Sequence, residues 1–80
     1  MAEPNMELTT SEKKLIRAYR HYSGATGKDP SQNWLAAELG VNVNAVRWAM
    51  RKLKEKGFMQ EKKVTSTRLV LSAKGKRVEL

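Results

Sequence analysis

The sequence predicts a mainly α-helical fold closed by a small β-hairpin. Apolar residues recur every three or four positions in three stretches before residue 57. Gly40 and Gly57 stand where glycine best ends a helix. After Gly57 the period shortens toward the alternation of strands.

Thr9 and Glu12 have capping-box spacing, so the first helix is expected to start near Thr10. Leu15, Ile16, Tyr19 and Tyr22 form its apolar stripe, with Lys13, Lys14, Arg17 and Arg20 on the other side. The run Ser23-Gly24-Ala25-Thr26-Gly27-Lys28-Asp29-Pro30 is expected to break it. Ser31 can cap a short second helix carrying Trp34, Leu35 and Leu39, which Gly40 ends. Asn42 caps the third helix, residues 43–56, whose stripe is Val46, Ala49, Met50 and Leu53. A hairpin over residues 58–72 follows, turning at Thr65-Ser66-Thr67. Its second arm should place Leu69 and Leu71 on one face and Arg68, Val70 and Ser72 on the other. Ser72 can cap a last helical turn through Lys76 to Leu80, against which Gly75 counts. The expected organisation is a flexible leader over residues 1–8 and a single domain over residues 9–80.

Charge narrows the function classes. Residues 1–40 carry five basic and five acidic side chains, whereas residues 41–80 carry eleven and three, so the whole net charge of +8 sits in the second half. Such asymmetry points to a polyanionic partner, and a plain solubility role is the alternative. The chain has no cysteine, which excludes disulfides and thiolate chemistry. No apolar run approaches the roughly 20 residues of a membrane span, and no apolar signal stretch opens the chain. A cytoplasmic, nucleoid-associated protein with no membrane partner is therefore expected.

Two short helices joined by a glycine-containing turn are the helix-turn-helix signal, and a β-hairpin directly after them makes the winged version. Leu35-Ala36-Ala37-Glu38-Leu39-Gly40-Val41, Ala45-Val46-Arg47 and Met50-Arg51-Lys52-Leu53-Lys54-Glu55-Lys56-Gly57-Phe58 resemble the winged helix-turn-helix of MarR- and GntR-type transcription regulators. Arg68-Leu69-Val70-Leu71-Ser72-Ala73-Lys74-Gly75-Lys76 is similar to the MarR-type stretch that leaves the wing. The resemblance spans residues 31–77 and implies a DNA-binding fold. It departs in three ways. MarR-type proteins dimerise through flanking helices for which this chain has little room. GntR-type proteins carry a separate ligand-sensing domain. The stretch that often reads Ser-Arg-Ser-Thr in such families is here Asn42-Val43-Asn44-Ala45.

On this reading the third helix enters the major groove of double-stranded DNA with its N-terminal residues, Val43 onward, leading. Asn44 and Arg47 are the candidate base readers, because Asn pairs bidentately with adenine and Arg with guanine. Arg51 and Lys52 lie farther along, within reach of phosphate. Ser31, Gln32 and Asn33 open the second helix, where free N–H groups suit a phosphate, although Ser31 serves equally as a plain N-cap. Lys62, Lys63, Thr65, Ser66 and Arg68 form a basic wing for the backbone or minor groove, with protection of an exposed strand edge as the alternative. Trp48 has three readings: packing against the first helix or the hairpin, contact with DNA, or an anchor for a protein partner. Trp34 reads as core.

Other chemistry fails on spacing. Gly24-Ala25-Thr26-Gly27-Lys28-Asp29 is similar to a phosphate loop but lacks its four-residue spacing and its Ser/Thr. Ser11 and Lys14 lack the companion motifs of a Ser-x-x-Lys hydrolase. The single histidine, His21, cannot form a zinc cluster alone. Neither catalysis nor a cofactor is expected. A sequence-specific DNA-binding regulator is the first expectation, and a winged-helix module docking within a replication or transcription complex is the alternative. A monomer and a weak dimer are both compatible with the sequence.

Overall fold

In a computed structural model, which describes residues 8–63, 67–78 and 80, each helix begins where a short polar side chain caps it. Thr9 precedes α1 (Thr10–Thr26), Ser31 precedes α2 (Gln32–Leu39), Asn42 precedes α3 (Val43–Glu55) and Ser72 precedes α4 (Ala73–Arg77). Each accepts a hydrogen bond from the backbone N–H three residues on, which satisfies one of the donors that a helix start leaves open. At Thr9 the Glu12 side chain completes the capping box by accepting from the Thr9 N–H. Between α3 and α4, β1 (Met59–Lys63) and β2 (Thr67–Leu71) pair antiparallel, with Met59 opposite Leu71 and Lys62 opposite Arg68. The chain is thus mainly helical with a two-stranded sheet. Most of the expected leader, the strand end at Val64 and the turn residues Thr65 and Ser66 lie outside the described residues. Leu8, assigned to the leader, is buried in the core.

One core joins all the elements. Leu15, Ile16 and Tyr19 of α1, Leu35 of α2, and Val46, Met50 and Leu53 of α3 meet Phe58, Met59, Val70, Leu71 and Val78. Burying a side chain of this size contributes about 1.5–3 kcal/mol. Tyr19 keeps its hydroxyl satisfied by donating to Asp29 Oδ1 at 2.6 Å, and burial, then the Asp29 carboxylate, push its titration above the ordinary tyrosine range.

The structure sharpens three expectations. First, the break falls within the expected run Ser23–Pro30 but late in it: α1 continues through Gly24 to Thr26 and is capped by Gly27 at φ 71°. A helical glycine costs only about 1 kcal/mol, and Tyr22 packs against Trp34 in a tilted ring contact with centroids 4.6 Å apart, which holds the last turns in place. Tyr22 and Trp34 are accordingly half-buried.

Second, both of the faces expected for β2 carry a buried side chain. Val70 and Leu71 are both buried, and Leu69 is only half-buried. The Arg68 guanidinium donates to the Pro30 carbonyl at 3.3 Å, tying β2 to the connection between α1 and α2.

Third, Gly75 does not weaken α4; α4 requires it. A Cβ there would stand 2.1 Å from the Phe58 carbonyl oxygen and 2.8 Å from a Leu71 methyl. The Phe58 carbonyl also accepts from the Ser72 N–H at 3.1 Å, so β2, α4 and the end of α3 converge on one peptide group.

Glu12 and Arg20, both drawn from the polar positions of α1, hold the elements together. Glu12 is almost fully buried, and its Oε1 accepts from Lys56 Nζ at 2.7 Å, joining the start of α1 to the end of α3. Burial pushes its carboxyl upward, but the Lys56 hydrogen bond, the Thr9 N–H and the Lys56 charge outweigh that and hold it below the ordinary value of 4.5. Arg20 Nη2 donates to the Gly75 and Val78 carbonyls at 2.9 and 2.6 Å, satisfying the C-terminal acceptors of α4.

Two outcomes are expected. Gly75→Ala should destabilise the chain by about 1–3 kcal/mol despite alanine's better helix propensity, read as a lower urea midpoint at unchanged slope. A depressed carboxyl contributes stability above its unfolded value that is lost as pH falls through its folded value. Unfolding of the native chain should therefore become easier below about pH 4.5, whereas Glu12→Gln, weaker by about 1–3 kcal/mol at pH 7, should show a flatter acid limb in urea titrations across pH.

Candidate nucleic-acid interface

The α2–α3 turn is short because both of its ends are fixed by backbone chemistry. Gly40 caps α2 in the left-handed region at φ 69°, its N–H reaching the carbonyls of Ala36 and Ala37. Asn42 opens α3 by accepting from the Ala45 N–H at 2.9 Å. With Val46, Met50 and Leu53 buried, helical periodicity turns Asn44, Arg47, Trp48 and Arg51 to the opposite side, where all four are exposed and line one cleft. Arg51 lies over the Trp48 ring, 5.7 Å from its centroid.

Arg47 also belongs to a second cleft, formed by α2, α3 and β2, that contains Ser31, Gln32, Asn33, Val43 and Arg68. Its Nε donates to Gln32 Oε1 at 3.2 Å, while Gln32 Nε2 meets Met50 Sδ at 3.8 Å, so the start of α2 positions the guanidinium of α3. Ser31 is the N-cap, accepting from the Trp34 N–H at 3.0 Å. Gln32 and Asn33 stand in the first turn of α2, where the backbone N–H groups have no intrahelical acceptor, and both residues line the same cleft. A phosphate there would meet two backbone donors and two guanidinium groups.

The sequence-derived set therefore separates into groups. Ser31, Gln32, Asn33, Val43, Asn44, Arg47, Trp48, Arg51 and Arg68 surround two adjoining clefts that share Arg47. Val43 is half-buried against the core and lines its cleft with apolar surface. Lys52 stands apart, on the side of α3 that faces α1. Lys62 and Lys63 are exposed on β1, and Lys62 lies directly opposite Arg68. Two like charges at opposed positions repel, a cost that a polyanion would relieve. Thr65 and Ser66 lie outside the described residues.

Trp48 is 62% exposed, so the packing alternative is not what the fold adopts. Several other cations are engaged within the chain: Lys54 pairs with Glu61, Lys56 with Glu12, and Lys74 lies over the Phe58 ring and donates to the Lys56 carbonyl.

Sequence reasoning placed Gln32 against phosphate and missed that it holds Arg47; no local signal marks that pairing, because the two lie fifteen positions apart. It also passed over Val41, whose exposure was legible as an apolar residue standing in a turn outside every stripe. Among the described residues no cluster of three metal-ligating side chains occurs, and no helix is long and apolar enough to cross a membrane. A scan against protein-family models, a search of curated proteins and a search of solved structures each found nothing that matches this chain.

Proposed function

We propose that this chain is a winged helix-turn-helix protein that binds double-stranded DNA sequence-specifically, as a small transcription regulator. α2 and α3 are the helix-turn-helix, α3 enters the major groove, and the β1–β2 hairpin is the wing on the backbone or adjacent minor groove. The observation that carries this reading is the outward face of α3. Asn44, Arg47 and Arg51 stand exposed along it, and Arg47 is steadied by Gln32 beside the open N–H groups of α2.

In this mechanism association begins with phosphate neutralisation by Arg51, Lys62, Lys63 and Arg68 and by the N-terminus of α2, releasing condensed counterions. Docking then brings Asn44 and Arg47 to base edges, where each bidentate pairing discriminates by about 1–3 kcal/mol. The Gln32–Arg47 hydrogen bond restricts the arginine before binding, which lowers the entropy lost when it meets a base. The cross-strand pair Lys62–Arg68 becomes favourable once a phosphate lies between the two cations.

Duplex titrations across salt should give a log K against log salt slope of about −4 to −5, as expected for roughly 4–6 phosphate contacts; absence of binding at low salt would end this reading. Against a site recovered by selection from random duplexes, Arg47→Ala should erode sequence preference by about 1–3 kcal/mol, whereas Lys63→Ala should weaken cognate and random duplexes alike. Equal effects of both variants on both duplexes would remove the assigned roles.

A further inference from the structure

We propose that the groove between the start of α1, the α2–α3 turn and α3 docks an acidic segment of a partner protein, which inserts a large apolar side chain beside Trp48. Trp48 and Val41, 62% and 44% exposed, are the only large hydrophobic residues left open among the described ones, and both line this groove. Leu15 and Val46 form its floor, Ala45 and Ala49 keep its α3 wall low, and it encloses about 530 Å³, which is room for one large side chain and its flanking backbone. An apolar patch rimmed by polar groups is the surface pattern of an interaction site, and a central exposed tryptophan is its usual anchor.

The rim decides the partner's chemistry. Lys14 on α1 and Lys52 on α3 both line the groove, and neither pairs with an acidic group among the described residues. The single acidic side chain that lines it, Glu12, is already neutralised by Lys56. A segment carrying Asp or Glu beside its apolar anchor therefore complements both the floor and the rim. A second copy fits poorly, because a chain of net charge +8 would bring like charge to the two lysines. A DNA strand would satisfy the lysines but offers no side chain to fill the apolar floor. Trp48 borders both clefts, but the proposal does not need DNA binding, since the rest of the groove is the flank of α3 that carries Ala45, Ala49 and Lys52 and not Asn44 or Arg47.

The test is selection of random displayed peptides, each about 16 residues long, on the intact chain with Trp48→Ala as counter-target. Retained peptides should combine at least one Leu, Ile, Phe or Trp with an excess of Asp and Glu. A synthetic copy of a retained peptide should shift the Trp48 indole and the Val41 and Ala45 amides while leaving the Trp34 indole in place. Its affinity should fall about tenfold in Trp48→Ala and several-fold in Lys14→Glu or Lys52→Glu, variants at exposed positions whose native amide dispersion verifies folding. Selection of peptides by acidity alone, equal retention by Trp48→Ala, or no enrichment at all would overturn the proposal. Concentration-dependent shifts of Trp48 in the peptide-free chain would overturn it in favour of a second copy.

Discussion

The burial of Phe58 at the junction of α3 and β1 is the constraint on which the arrangement depends. Its ring is fully buried, its N–H reaches the Leu53 carbonyl at 2.8 Å, and its own carbonyl accepts from Ser72. The end of α3, the base of the hairpin and the start of α4 are therefore held within one hydrogen-bonded knot. Gly75 lets α4 approach it, and Lys74 closes over its ring. Because Phe58 follows α3 almost directly, its orientation fixes the angle at which the hairpin leaves the helix. That angle brings Arg68 of β2 to the same cleft as Arg47 of α3.

Charge in this chain divides between two tasks. Lys56, Lys74 and Arg20 are spent on helix ends and on a buried carboxylate, where water screens the attraction less but the cation also gives up hydration. Arg47, Arg51, Lys52, Lys62 and Lys63 remain at the surface. The net charge of +8 thus overstates what the first contact with a polyanion can use, while its placement on α3 and the hairpin makes it directional.

Trp48 stands at the border of two surfaces. On one side it neighbours Asn44, Arg47 and Arg51, and on the other it faces the groove toward α1. A helix of this length presents more than one outward flank, so one residue can serve nucleic acid on one edge and a protein on the other. The proposed regulator and the proposed docking groove are consequently adjacent; they share Trp48, but not the base readers Asn44 and Arg47 or the rim lysines Lys14 and Lys52.

Helix starts, helix ends and the hairpin were legible in the sequence because local chemistry sets them. Thr9, Ser31, Asn42 and Ser72 cap, and Gly40 takes up the left-handed turn, wherever the rest of the chain lies. The buried stripe and the outward face of α3 followed from helical periodicity alone, which is why Asn44, Arg47 and Arg51 were found together. Extension of α1 through Gly24 was not legible, because the ring of Trp34, distant in sequence, supplies what glycine lacks. Nor was the need for glycine at position 75, the second buried face of β2, or the engagement of Arg20 and Gln32, since each depends on a partner that only folding brings near. The sequence by itself determined where the elements begin and which side of each is apolar, through interactions spanning three or four residues. Tertiary packing decided which charges are spent inside and which face outward, because a cation's partner is set by distance in space.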